Sequence, residues 1–407
     1  GIPYRCFYSR NIKNLFLAGR IISASHVAFG STRVMLTCAH GGSAVGMAAA
    51  HCIAHGLKPC DLNAPERIQA LQQSLNAVGQ AIPNLPTVQD GNLAASAEVS
   101  ASSTLALQNL AAGSDWRTLE NPLAQLIPWQ AGYQPRITFT VRAGKQSNLR
   151  VALRIADKAF NFTPEVTLDE QLVELSEGEQ SCTIRFEHNV QDDRYAFITF
   201  YGNSAIELQT SDMLCTGLVT VVQKGNPKVS KSGEQIPPEG IGIDRFEFWI
   251  PDRRPKGKNL ALQFEPPLEY FASKAYLTNG YERPLLKSNA WIADLADPEP
   301  TLTFGWEQAQ TISKVTLFFD TDFEHAMETA QWGHPEAVMP FCVQAFRIET
   351  GDGTVLAEVT DNHQTRVELC FEAVSVTQLI LKLKHPSGAT PAALMGIRLS
   401  ASEIVGN

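Results

Sequence analysis

The densest gathering of residues able to meet a ligand runs from Ala18 to Met35, where Arg20, His26 and Arg33 stand among Gly19, Ser23, Ser25, Gly30 and Ser31. A strand ending at Gly19 lets the backbone approach a ligand closely, because glycine has no Cβ. The small residues further on predict a helix beginning near Gly42. Its unpaired backbone N–H groups and positive dipole end suit an electron-rich ring oxygen or a phosphate. Ala44, Gly46, Ala48, Ala49 and Ala50 keep that helix flat, which serves close packing on a ligand or, equally, on a sheet with no ligand present.

Other clusters admit a chemical and a plain reading. His51 and His55 share a helical face near Cys38, His40 and Cys60, but the glutamate of a His-Glu-x-x-His site is absent and the cysteines lack paired spacing, so no metal is expected. Asp320, Asp322, Glu324 and His325, followed by His334 and Glu336, suit a cation or a sugar, or simply the polar loops at the end of a sandwich. Trp291, Trp306 and Trp332 offer stacking faces for a sugar, or buried core. The basic run Arg253 to Lys258 is short and reads as a solvated or interdomain face.

The elements that must position these residues follow from the change of pattern along the chain. Its 407 residues suit two or three domains rather than one core. Residues 1–62 read as strand, long loop and helix. Residues 63–118 open with Asn63 as a cap, Pro65 early in a helix and Ile68, Leu71, Leu75 and Val78 at helical spacing; the helix stops near Gly79 and a polar connector follows. From residue 119 the period becomes two, as in Arg136–Val141, Leu149–Ile155 and Tyr195–Phe200, which predicts an antiparallel β-sandwich over 119–223. Residues 224–268 hold a Lys/Pro/Gly-rich linker and returning strands, and 269–407 a second β-sandwich. In Gly351-Asp352-Gly353 the glycines read as a hairpin turn.

Composition narrows the function. Lys+Arg 33 against Asp+Glu 42 gives a net charge of -9, and no dense basic block is present, so nucleic acid is not an expected partner. No apolar run approaches the roughly eighteen residues that span a bilayer as a helix. The 8 cysteines are scattered and read mostly as buried thiols. The chain opens on Gly1 with neither a start methionine nor a signal peptide, and is read as a piece of something longer.

Several of these segments, taken in order, resemble the FAD-dependent oxidoreductase family: Gly1–Arg5, Asn14–Arg20, Gly30–Met35 and Gly42–Ala50, continuing through Leu71–Leu75 and Ala101–Ser103 and into Phe246–Pro251 and Arg253–Pro255. The resemblance implies that the chain opens with the C-terminal fragment of an α/β FAD-binding domain; with the period-two stretches after it, the fold expected is mainly β, that fragment followed by two antiparallel, jelly-roll-like sandwiches. It also implies FAD as cofactor. Gly19, Arg20, Arg33, Val34, Thr37, Gly42 and Ala44 would line it, with N–H groups around Val34 and Thr37 facing the flavin pyrimidine oxygens. His26 would carry a proton, and Arg33 would orient substrate or balance the reduced ring. More weakly, Tyr276–Pro284 with Trp291 resembles a galactose-binding or discoidin-type jelly roll.

One departure stands out. The strand–Gly-x-Gly-x-x-Gly–helix fingerprint that seats the FAD pyrophosphate is missing: Gly41–Gly46 has the wrong spacing and Gly240-Ile241-Gly242 lacks its third glycine. The expectation is therefore an enzyme portion whose nucleotide-binding half lies elsewhere, in cis or on another chain, acting on a small organic substrate of saccharide type. The alternatives are a carbohydrate- or protein-binding sandwich module without redox activity, and a structural subunit of a larger assembly.

Overall fold

A computed structural model of the chain describes residues 1–158, 161–188, 190–224, 234–236, 239–240, 246–252, 257–321 and 339–401. The chain divides into a unit Gly1–Val88 and a unit Gln89–Glu403. The architecture is mainly β with antiparallel pairing throughout, and the α-helices lie in the first unit.

In that first unit α1 spans His26–Thr32, α2 Met35–His55 and α3 Pro65–Ala77. The strand expected before Gly19 is reduced to one isolated bridge, Tyr8 with Phe16. The stretch expected as a long loop contains α1, because Ser25 accepts from the Ala28 N–H at 3.3 Å and so caps a short helix. The next helix begins at Met35, ahead of Gly42, and ends on Gly56 in the left-handed conformation. Pro65 does open α3, with Ala64 rather than Asn63 as its cap. Ala48 and Cys52 of α2 meet Leu71 and Leu75 of α3 and Leu62 between them, a core of few residues.

Eleven short strands follow before residue 224: β1 (Glu98–Ala101), β2 (Leu107–Asn109), β3 (Ala112–Thr118), β4 (Leu123–Trp129), β5 (Arg136–Ala143), β6 (Ser147–Ile155), β7 (Val166–Leu175), β8 (Gly178–Arg185), β9 (Arg194–Tyr201), β10 (Ile206–Ser211) and β11 (Val219–Gln223). One sheet runs β11-β4-β9-β6-β7, with Trp249–Pro251 added beside β11. The facing sheet centres on β5, which pairs with β8 on one side and with β10 and Leu262–Leu268 on the other. Alternation sets the layers: in β5 Ile137, Phe139, Val141 and Ala143 are buried, while Arg136 and Arg142 face water. Gln125, wholly buried, ties the two sheets by accepting from the Leu260 N–H and donating to the Asn259 side chain.

A second sandwich is built on two eighteen-residue strands, Thr301–Phe318 and Arg366–Leu383, paired antiparallel with two irregularities in register. Phe346–Thr350 and Val355–Val359 extend it through a turn in which Gly353 is left-handed. β1 pairs with Thr301–Phe318, and β2 pairs with Leu262–Leu268. The stretch read as a polar connector thus supplies strands to both sandwiches. Their partners lie far away in sequence, so no local hairpin pattern announces them.

Candidate functional site

The segment 3–23 folds back on itself: the Leu17 N–H donates to the Phe7 carbonyl at 2.8 Å, Ser9 N–H to Leu15, and Ser23 N–H to Cys6. Phe7 is thereby pressed onto α2, where a Cβ on Gly41 would stand 2.9 Å from the Phe7 ring. Only a glycine permits that approach. The same fold-back delivers Gly19, left-handed at φ 67°, and a single 3-10 turn, Gly19–Ile21, that packs on α2.

From there each candidate residue can be placed. His26 is the first residue of α1 and is exposed; Arg33 closes α1, its N–H donating to Phe29 at 3.1 Å. The seven residues of α1 separate the two ends by about 10 Å along the axis. His26 and Arg33 therefore stand at opposite ends of α1. Arg20 lies with its guanidinium 5.6 Å from the centre of the Phe29 ring, which joins the Gly19 turn to α1. Val34 is the cap of α2, and the first hydrogen bond of the helix runs from Cys38 N–H to Val34. The N–H groups of Val34, Met35, Leu36 and Thr37 consequently have no backbone partner among the described residues. Gly42 and Ala44 lie in the second and third turns of α2, where helical bonding takes up their N–H groups. The open N–H groups are one to two turns earlier than the pattern of small residues predicts.

Two further features of this surface were not read from the pattern. Large apolar side chains crowd it: Ile21 is 71%, Val27 87%, Met35 86% and Leu36 75% exposed. Its charge is also one-sided. The first acidic residue of the chain is Asp61, and before it stand Arg5, Arg10, Lys13, Arg20, Arg33 and Lys58. Among the described residues neither Arg20 nor Arg33 has a carboxylate within ion-pair distance. In a chain of net charge -9, counting acids by position exposes this at once.

The other candidates resolve differently. His51 and His55 rings lie 6.1 Å apart and His51 Nε2 meets the Ser74 hydroxyl at 3.1 Å; no group of metal-binding side chains forms among the described residues. Cys52, Cys182, Cys215 and Cys342 are buried thiols, and none of the eight is bridged. Trp291 is fully buried and donates to the Ser103 carbonyl, and Trp306 donates to Leu93, so these two indoles are used in packing. Asp320, the head of the acidic cluster, is buried and accepts from the Thr216 hydroxyl at 2.7 Å. Residues Asp322 to Glu336 of that cluster, Trp332, and Arg253 to Lys256 lie outside the described residues.

Residues 1–75 match the family model described as FAD dependent oxidoreductase. No curated protein matches the chain. Among solved structures, the chain is similar to the family 32 carbohydrate-binding module from Streptococcus pneumoniae EndoD, at 11% identity and TM-score 0.25 over 32% of this chain and 86% of that one. It is likewise similar to chitosan-binding module 1 of the chitosanase/glucanase from Paenibacillus sp. IK-5, at 10% and 0.23 over 32% and 85%. The family 32 module of C. perfringens NanJ, in complex with galactose, gives 12% and 0.23 over 32% and 85%. No helix of the described residues is long and apolar enough to cross a membrane.

Proposed function

We propose that the chain is the C-terminal portion of an FAD-dependent oxidoreductase in which residues 1–75 form one wall of the flavin site. The observation that carries this reading is the surface from Gly19 to Thr37: apolar, cationic, edged with open N–H groups, and lying in the segment that matches the family model. Such a surface fits FAD. Its apolar side chains suit the dimethylbenzene ring, its N–H groups the pyrimidine oxygens, and its unmatched arginines the anionic phosphates or the ring once reduced. Gly42 and Ala44 fit less well, having no N–H to offer. The flavin would supply hydride acceptance.

The residues of this chain then have separable tasks. The N–H groups of Val34 and Thr37, at the positive end of a helix of 21 residues, hold a negatively charged oxygen. Arg33, one residue earlier, adds a full positive charge there, and Arg20, braced by Phe29, adds another beside the Gly19 turn. His26, about 10 Å away on α1, moves a proton at the substrate rather than at the ring. The pyrophosphate is held by a nucleotide-binding half with the Gly-x-Gly-x-x-Gly fingerprint, in cis or on a partner chain, whose docking covers Val27, Met35 and Leu36. The substrate is a small organic molecule of saccharide type, oxidised by hydride transfer.

The visible spectrum of the natural full-length protein tests this. Oxidised-flavin absorbance that bleaches anaerobically with a sugar alcohol or aldose is the expected result. A colourless protein that binds glycans would overturn it in favour of a binding module. Arg33→Ala is expected to weaken flavin retention or slow the reductive half-reaction by roughly a hundred- to a thousandfold, as loss of one charge-stabilising group does.

A further inference from the structure

His385 stands just beyond the strand Arg366–Leu383, half-buried, and uses both of its ring nitrogens to tie separate segments together. Its Nε2 meets the Asp297 carbonyl oxygen at 2.8 Å, and the Ala392 N–H meets its Nδ1 at 2.9 Å. A backbone carbonyl only accepts and a backbone N–H only donates. The two partners therefore admit one state of the ring: neutral, with the proton on Nε2 and a lone pair on Nδ1. In that state the ring closes the turn 385–392 from within.

That turn lies at the joint of the two sandwiches. The Ala389 carbonyl accepts from the Leu214 N–H at 3.0 Å, and Leu214 belongs to the connection between β10 and β11 of the first sandwich. Where the turn ends, the Ala392 carbonyl accepts from the Ala293 N–H at 2.9 Å and Ala393 pairs with Ile292; Ile292 and Ala393 are both buried in the core of the first sandwich. Ala392 itself is wholly buried, so its N–H finds no water if Nδ1 stops accepting. A proton on Nδ1 does stop it, by setting one N–H against another. Among the described residues, the charged groups on the segments that hold the ring are Asp294, Asp297 and Glu299 on the Asp297 side, with Lys384 beside the ring in sequence and Lys382 4.0 Å from Glu299; residues 386–394 carry none. The carboxylates, Asp297 foremost, draw a proton towards the ring, and the Ala392 N–H resists it. Protonation and closure of the turn compete for the same atom.

We propose that His385 is an acid-operated latch at the joint between the two sandwiches: the neutral ring holds the turn 385–392 closed, and a proton taken up at Nδ1 breaks the Ala392 bond and frees the turn together with its contact to Leu214. The direction follows from the acceptor role of Nδ1. The latch is closed while the ring is neutral and is lost as pH falls and the ring becomes charged. Every residue in it belongs to the unit Gln89–Glu403, so it is independent of the flavin reading.

Nitrogen NMR of the histidine ring and amide hydrogen exchange, both on the natural full-length protein between about pH 8 and pH 5, test the latch. The ring is expected to carry its proton on Nε2 at the upper end. With exchange corrected for its intrinsic pH dependence, protection of the Ala392 and Leu214 amides is expected to fall about tenfold as Nδ1 takes up its proton, the equivalent of one hydrogen bond. His385→Gln, whose side-chain carbonyl can accept from Ala392 but takes up no proton, is expected to keep that protection level across the range. A ring protonated on Nδ1 at the upper end overturns the proposal, as does a ring that stays neutral throughout. Protection that holds level while the ring titrates overturns it too, and so does protection that falls as steeply in His385→Gln. The wild-type ring and amide curves decide between these outcomes even where the glutamine fails to hold the turn.

Discussion

Arg154 illustrates what single residues contribute. Its side chain is 3% exposed and is held by both Glu247 oxygens and the Tyr201 hydroxyl, so β6 is fastened to a segment 93 residues away. Removing one member of a buried ion pair leaves the other charged in a poor solvent. Arg154→Met is expected to cost about 3–5 kcal/mol in urea unfolding, and Arg154→Met with Glu247→Gln to recover part of it. Asp297 gives the acid response. Burial pulls its carboxyl up, but hydrogen bonds from Ser102 and Ser103, the Glu299 N–H and the nearby His385 outweigh this and hold it below its ordinary value. A depressed carboxylate stabilises the fold above its unfolded pKa and loses that contribution as pH falls through the folded one. Asp297→Asn should therefore melt below the wild type at about pH 7, and the gap should close as pH falls below the ordinary carboxylate value of about 3.9. Neither contact was legible in the sequence, because each joins residues that only the fold brings together. His26, Arg20 and Arg33 were legible by type, yet the separation of His26 from Arg33 depended on an α1 that the pattern did not announce.

At the scale of elements, α2 offers a comparison within one helix. Gly41 abuts the Phe7 ring, whereas a Cβ on Gly42 or Gly46 meets nothing within 4 Å. Gly41→Ala is expected to destabilise the first unit by about 1–3 kcal/mol through overpacking. Gly42→Ala and Gly46→Ala should each stabilise it by roughly 0.5–1 kcal/mol, since alanine gives up less backbone freedom on entering a helix. Thermal melts of the three variants check this, and a Gly42→Ala protein that keeps its flavin would remove Gly42 from the cofactor contacts. The strands that alternate cleanly, such as β5 and β6, were readable because one buried face forces period two. α1 was not: with Val27, Gly30 and Thr32 it has little helical propensity, and the Ser25 cap decides it. The start of α2 was misplaced because glycine and alanine mark a flat surface as readily as a helix end. β1 and β2 escaped notice because they are short and pair with strands more than 150 residues away.

For the molecule as a whole, the unit Gly1–Val88 has few buried apolar side chains and a broad apolar surface, whereas Gln89–Glu403 holds two extensive cores. Gly79, Asn84 and Gly91 are all left-handed in the stretch between them. Limited proteolysis is expected to cut between 79 and 91 first, and the product beginning near Gln89 should keep the main calorimetric transition; loss of that transition would show that the larger unit depends on the smaller. Within the larger unit, Ile292, Phe318, Ala393 and Met395 of the second sandwich are buried in the core of the first. Gene shuffling that carried the C-terminal sandwich into another protein would therefore bring it with an oily wound where its neighbour used to be. The two sandwiches can only be inherited as a pair.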